Sequence, residues 1–249
     1  MRLLGSTVTG KVNERTFVVV RDGGEIPGVV WVPEGAAGPR PLVLLGHGGS
    51  GHKREEYILS FARRLVRHLG VAVAAIDGPV HGDREPTAST GGGAGTMIFA
   101  QLWSSRPEMT DEMVADWRAT LVELRGLEEI GDSPVGYWGL SMGTILGLPF
   151  VAAEPAISVA VLGLMGLTGP TRARIEHDAP LVTCPVLMLA QWDDELFERG
   201  RALDLFDLIG SKDKRLHVNP GGHVAVPSEE FDFSEQFLGR HLLDKGTKA

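Results

Sequence analysis

The 249 residues suit one α/β domain or two small ones, and with 43% hydrophobic and 22% charged residues the chain can bury a substantial core. A formal net charge of −8, with both signs mixed along the chain, argues against a nucleic-acid or anionic-membrane surface, since either needs clustered Lys and Arg. No stretch approaches the roughly 18–20 consecutive apolar residues of a membrane span, and MRLLGSTVTG lacks the apolar segment of a secretory signal. Cytoplasmic location is the default expectation, although a chain whose leader had been removed would read the same.

In chain order, RTFVVV and GVVWVP read as strands on either side of the turn-like DGGEIPG. PLVLLGH is a short apolar strand, and residues 54–69 have helical spacing, with Ile58, Phe61, Leu65 and Leu69 on one face and Gly70 at the end. VAVAAID is the next strand, followed by a Gly-, Thr- and Ser-bearing segment over residues 78–106. Residues 107–130 carry the longest helical pattern, with Met109, Met113, Trp117, Leu121 and Leu124 down one side. VGYWGL is a strand and residues 142–153 a helix; SVAVLGLMG and PVLMLAQW are strands, residues 195–209 a helix before the strand RLHVNP, and residues 228–243 a closing helix. This alternation predicts an α/β fold, a mostly parallel sheet of about eight strands with helices on both faces. No linker or repeat divides it, so residues 1–249 are expected to form a single domain.

The loop GHGGSGHK, residues 46–53, resembles a phosphate-binding loop. His52 stands where that motif needs Lys, and Arg54 where it needs Ser or Thr. GLSMG, residues 139–143, fits G-x-S-x-G with an apolar strand entering and a helix leaving. In that setting Ser141 is a candidate nucleophile on a sharp turn, and an incidental serine in a Gly-rich turn is the plainer alternative. A serine hydroxyl needs a base, and the base needs an orienting carboxylate. Both follow in the order Ser, acid, His: Asp193 and Asp194 at the end of PVLMLAQW, and His223 in the PGGH loop after RLHVNP. Either aspartate would also serve as a helix cap, and His223 as a surface histidine. Acyl transfer also needs donors for an oxyanion, one of them the amide of Met142 at the start of the helix after the nucleophile.

With these motifs the chain resembles the α/β-hydrolase superfamily, and within it the dienelactone-hydrolase-like and prolyl-oligopeptidase-like serine esterases. The resemblance covers HGG after the third strand, DGPVHGDR after the fourth, GLSMG after the fifth, and the acid and PGGH after later strands. It implies an α/β-hydrolase fold, a serine esterase acting on small-molecule carboxylic esters, and no cofactor. It also implies Asp194 as the acid, within a pattern that ends three residues on at Phe197, and Gly49 as the second oxyanion donor, with Ser50 the alternative. Two departures stand out. Gln191 replaces the glycine of that acid pattern, and Ser141 replaces the cysteine of dienelactone hydrolases proper, which argues for a general esterase.

His47, His52 and His81 lack carboxylate or Cys companions at ligand spacing, so no metal is expected. Residues 91–95, GGGAG, miss the dinucleotide fingerprint and read as a flexible loop. Met97, Ile98, Phe99, Leu102 and Trp103 fit either a wall of the substrate pocket or a buried connecting helix. The lone Cys184 is expected to be a buried thiol, and residues 164–183 are too few for a large lid domain. Thioester or peptide cleavage, or a non-hydrolytic lyase, transferase or cyclase on the same scaffold, remain alternatives. The oligomeric state is open.

Overall fold

The computed structural model describes residues 1–85 and 94–243. Its chain opens with an antiparallel meander: β1 (Arg2–Thr9), β2 (Val12–Arg21) and β3 (Gly24–Pro33). The β2–β3 turn needs only Asp22 and Gly23, at φ 51° and 79°, the left-handed pair whose twist matches a tight hairpin. Glu25, Ile26 and Pro27, expected within a longer turn, therefore lie in β3, where Pro27 pairs with Val18. β1 was not legible as a strand, because all of its residues are exposed and no burial pattern marks it.

The parallel part follows: β4 (Leu42–Gly46), β5 (Ala72–Ile76), β6 (Val135–Leu140), β7 (Ile157–Gly163), β8 (Val186–Gln191) and β9 (Lys214–Asn219). Among the described residues the nine strands form one sheet in the order β1-β2-β3-β5-β4-β6-β7-β8-β9, with pairs from β5 through β9 parallel. All of β4, β5, β6 and β8 is buried, as continuous apolar runs covered on two faces require.

On one face pack α1 (Glu56–Leu69) and α7 (Glu229–Leu243), burying Ile58, Phe61 and Leu65 of α1 and Phe237, Leu238 and Leu242 of α7 with Trp138. Gly70, at φ 67°, caps α1 in the left-handed conformation. The other face carries α2 (Ala94–Ser105), α3 (Met109–Arg125), α4 (Met142–Ala153), α5 (Arg172–Asp178) and α6 (Arg199–Leu208). Met109, Met113, Trp117, Leu121 and Leu124 are all buried there, as their spacing predicts. α4 is buried nearly all round, which is why its sequence shows little amphipathic contrast. Residues 164–183 hold only α5 and a short 3-10 turn, Ala179–Leu181, so no lid domain is inserted there.

Cys184 lies just before β8 and is half-buried, not fully buried as expected; its surroundings still push the thiol up to about 11, away from thiolate chemistry at neutral pH. The GGG of residues 91–93 falls outside the described residues, and Ala94 and Gly95 begin α2. Among the described residues no helix is long and apolar enough to cross a membrane.

From β4 the chain goes to β5 on one side and later to β6 on the other. The strand order reverses at this point, and the crevice beyond the carboxyl ends of β4 and β6 is where open α/β sheets bind ligands. GHGGSGHK leaves β4 there and GLSMG leaves β6.

Candidate active site

Ser141 joins β6 to α4 at φ 56° and ψ −119°, a region non-glycine residues enter only under constraint. The constraint is visible on each side. A Cβ on Gly143 would lie 2.4 Å from the carbonyl oxygen of Gly46, so α4 and β4 touch backbone to backbone. The Ser141 amide donates to Gly163 O at 2.9 Å, and the Tyr137 hydroxyl donates to Gly143 O at 2.6 Å. Thr144 Oγ1 accepts the Gly163 amide at 2.8 Å and lies 2.7 Å from Gly139 O, stitching the turn to β7. The buried Thr144 and Tyr137 belong to no motif, so their part in the turn is visible only in the fold.

Ser141 Oγ lies 2.9 Å from His223 Nε2, and His223 Nδ1 lies 2.8 Å from Asp194 Oδ2. Asp194 Oδ1 accepts the amides of Leu196 and Phe197 at 2.8 and 2.9 Å. Both carboxylate oxygens are therefore engaged, which fixes the orientation of the carboxylate plane. The turn these bonds make also explains why α6 begins at Arg199 and not at 195 as its spacing suggested. The His223 and Asp194 side chains are only 7% and 3% exposed, which strengthens the attraction within the pair. Asp194 Oδ2 accepts a hydrogen bond from the Nδ1–H of His223, which leaves the Nε2 lone pair toward Ser141. Asp193 is exposed, and its amide donates to Gly221 O at 3.1 Å.

The loop after β4 is held from several sides. Tyr57 OH accepts the Gly48 amide at 2.7 Å; burial pushes that phenol up to about 12. His47 Nε2 accepts the Gly78 amide at 2.8 Å, so its proton sits on Nδ1, which donates to Gly48 O at 2.8 Å. Burial drives the His47 imidazole down to about 4, outweighing the Gly48 hydrogen bond, so the ring stays neutral. In a trans peptide the N–H points opposite to the C=O, so the bond to Gly48 O also sets the direction of the Gly49 N–H. His81 continues the clamp, with Nε2 2.8 Å from Gly49 O and Nδ1 2.7 Å from Pro79 O.

The cations of this loop are already held by protein carboxylates. Lys53 Nζ lies 2.5 Å from Asp77 and 2.6 Å from Asp83, and Arg54 Nη2 lies 2.8 Å from Glu14. Neither Lys53 nor Arg54 is left unpaired to meet a phosphate. His52 is exposed, and its Nδ1 accepts the Arg54 amide at 3.1 Å. The rings of His47, His52 and His81 each meet backbone groups. Phe99 of α2 packs on His81 with ring centroids 6.0 Å apart, Trp103 reaches Thr171 Oγ1 at 2.9 Å, and Met97 stays 77% exposed. α2 is thus a connecting helix with one face packed beside the loop.

No protein-family model matches the sequence, and no curated protein does. Among solved structures, a cold-adapted esterase from an Arctic intertidal metagenomic library superposes with a TM-score of 0.86 at 42% identity, over 97% of this chain and 100% of that one. The acetyl xylan esterase from Paenibacillus sp. R4 superposes with a TM-score of 0.73 at 18% identity, over 97% of this chain and 88% of that one. Est1E from Butyrivibrio proteoclasticus, with ferulic acid bound, gives 0.68 at 14% identity, over 90% and 98%. The last two are too distant in sequence to bear on more than the fold. The Arctic enzyme, matched nearly end to end, carries the assignment: the chain belongs to the α/β-hydrolase superfamily, in the family of that esterase.

Proposed function

We propose that the protein is a serine esterase that cleaves small carboxylic esters through an acyl-enzyme, with Ser141, His223 and Asp194 as its triad. The observation that carries this reading is the unbroken chain of short bonds from Ser141 Oγ through His223 to Asp194. Ser141 Oγ attacks the ester carbonyl carbon while its proton passes to His223 Nε2. Asp194 orients the ring and stabilises the imidazolium. The carbonyl oxygen becomes an oxyanion, held by the amides of Met142 and Gly49. The first lies at the positive end of α4, and the second is aimed by His47. His223 then returns the proton to the departing alcohol oxygen. Water, deprotonated by the same imidazole, releases the acid and frees Ser141.

Each oxyanion donor of this kind contributes about 3–4 kcal/mol to the transition state. Removing the nucleophile is a sharper test. Ser141→Ala is expected to lower kcat on p-nitrophenyl acetate by on the order of 10⁶-fold. Turnover in that variant equal to wild type would remove the serine mechanism.

A further inference from the structure

We propose that Gln191 and Glu195 are positioning residues that hold the backbone around His223 so that its ring spans Asp194 and Ser141. This rests on the triad reading above. Gln191 is the last residue of β8 and is only 1% exposed. Its Nε2 donates to Ala225 O at 2.7 Å and to Gly222 O at 3.3 Å, the carbonyls on either side of His223. Glu195 adds a third point: its Oε2 accepts the His223 amide at 2.8 Å. Gln191 and Glu195 therefore hold the histidine loop at three backbone points, Gly222 O, His223 N and Ala225 O.

The details favour a role beyond packing. Gln191 Oε1 is buried and has no hydrogen-bond partner among the described residues. A side chain kept only to fill space would be apolar here, because an orphaned buried acceptor is destabilising. Turning the amide over would set Oε1 against two carbonyl oxygens, so the orientation is forced and the donor end is what the position uses. The glycine that the family resemblance calls for at this position has no side chain to reach across.

Glu195 is exposed, so burial does not explain it. Its carboxyl is held below the usual range first by the His223 amide and then by its own. The PGGH motif fits the same arrangement: a Cβ on Gly222 would stand 2.7 Å from Glu195 Oε2. Backbone bonds from Trp192 N to Asn219 O and from Asp193 N to Gly221 O, at 2.7 and 3.1 Å, carry the β8–β9 pairing up to this point. The side chains take over where the backbone ladder ends.

The test compares Gln191→Met, Glu195→Ala, Glu195→Gln and Ser141→Ala on p-nitrophenyl acetate, with fluorophosphonate labelling rates and thermal melts alongside. Methionine keeps the length of Gln191 without its donors, and glutamine at 195 keeps an acceptor without the charge. Gln191→Met and Glu195→Ala are expected to lose about ten- to a hundredfold in kcat, the scale of a misplaced catalytic group. KM should stay within about twofold, because substrate binding is untouched. The labelling rate should fall in step, and Glu195→Gln should recover most of the loss. Should Gln191→Met fail to fold, the exposed Glu195 pair decides alone. Wild-type kcat in Glu195→Ala, with Ser141→Ala inactive, overturns the proposal, as does a Glu195→Gln no better than Glu195→Ala. Activity persisting in Ser141→Ala is a different result and brings down the triad reading itself.

Discussion

At the scale of single residues the site is a matter of where backbone strain is allowed. Ser141 sits at φ 56°, which costs a non-glycine residue about 1–3 kcal/mol, and it stays there because Gly143 touches Gly46 and Thr144 is tied to Gly139 and Gly163. The result is an Oγ presented at the top of β6, 2.9 Å from His223 Nε2. The two adjacent aspartates differ in what they touch: Asp194 faces the imidazole and receives two amides, whereas Asp193 is exposed. Asp194→Asn should therefore lower kcat about 10⁴-fold by favouring the wrong imidazole tautomer. Asp193→Asn should leave kcat/KM for p-nitrophenyl acetate near wild type. A steady-state comparison in which Asp193→Asn carries the loss would move the acid to that position.

Ser141 and His223 were singled out because each stands in a short motif at a predicted strand end, and Asp194 over Asp193 through the family resemblance alone; the structure brings the three side chains within hydrogen-bond distance. Gln191 and Glu195 were not. One is a missing glycine and the other a charged residue after two aspartates, and only their reach across to residues 222–225 gives them meaning.

At the scale of elements, the loop between β4 and α1 shows how a glycine-rich segment is made rigid by its neighbours. Tyr57 of α1 holds one peptide, His47 the next and His81 the one after, while Lys53 ties the far end to Asp77 and Asp83. A neutral His47 is part of this, since Nε2 must accept from Gly78. With its value near 4 in the folded chain against an ordinary 6.5, protonation favours the unfolded state. Between these values the unfolded chain binds a proton that the folded one does not. The stabilisation His47 contributes is therefore full above about pH 6.5 and is lost as pH falls toward 4, by about 3 kcal/mol in all. Nitrogen-15 spectra should show His47 still neutral at pH 5, protonated on Nδ1, while urea unfolding reports the falling stability. A protonated ring at pH 5 in the folded protein would contradict this.

The elements themselves were legible where burial imposes a period. α3 and α1 follow their apolar faces, and the buried parallel strands follow their continuous runs. β1 left no such trace because both of its faces are exposed. Likewise, the extent of the β2–β3 turn depends on two left-handed residues and not on the whole Gly-Pro cluster around them.

For the whole molecule, topology brings distant motifs together. Reversal of strand order around β4 places the loops after β4 and β6 side by side, and the loops after β8 and β9 bring Asp194 and His223 to the same end. Residues 82 positions apart in the chain, Ser141 and His223, thereby come within a hydrogen bond. The order of motifs along the sequence was enough to expect this arrangement. That Lys53 of GHGGSGHK and the adjacent Arg54 are paired with protein carboxylates was not legible in the sequence, because Asp77, Asp83 and Glu14 reach them only in the fold.

The central claim is that Ser141 is the activated nucleophile, and covalent capture tests it most directly. After incubation with a fluorophosphonate, intact mass and peptide mapping should find one adduct per chain, on Ser141, and none in His223→Ala over the same time. An adduct on another residue, or no adduct on an enzyme that still hydrolyses esters, would contradict the account.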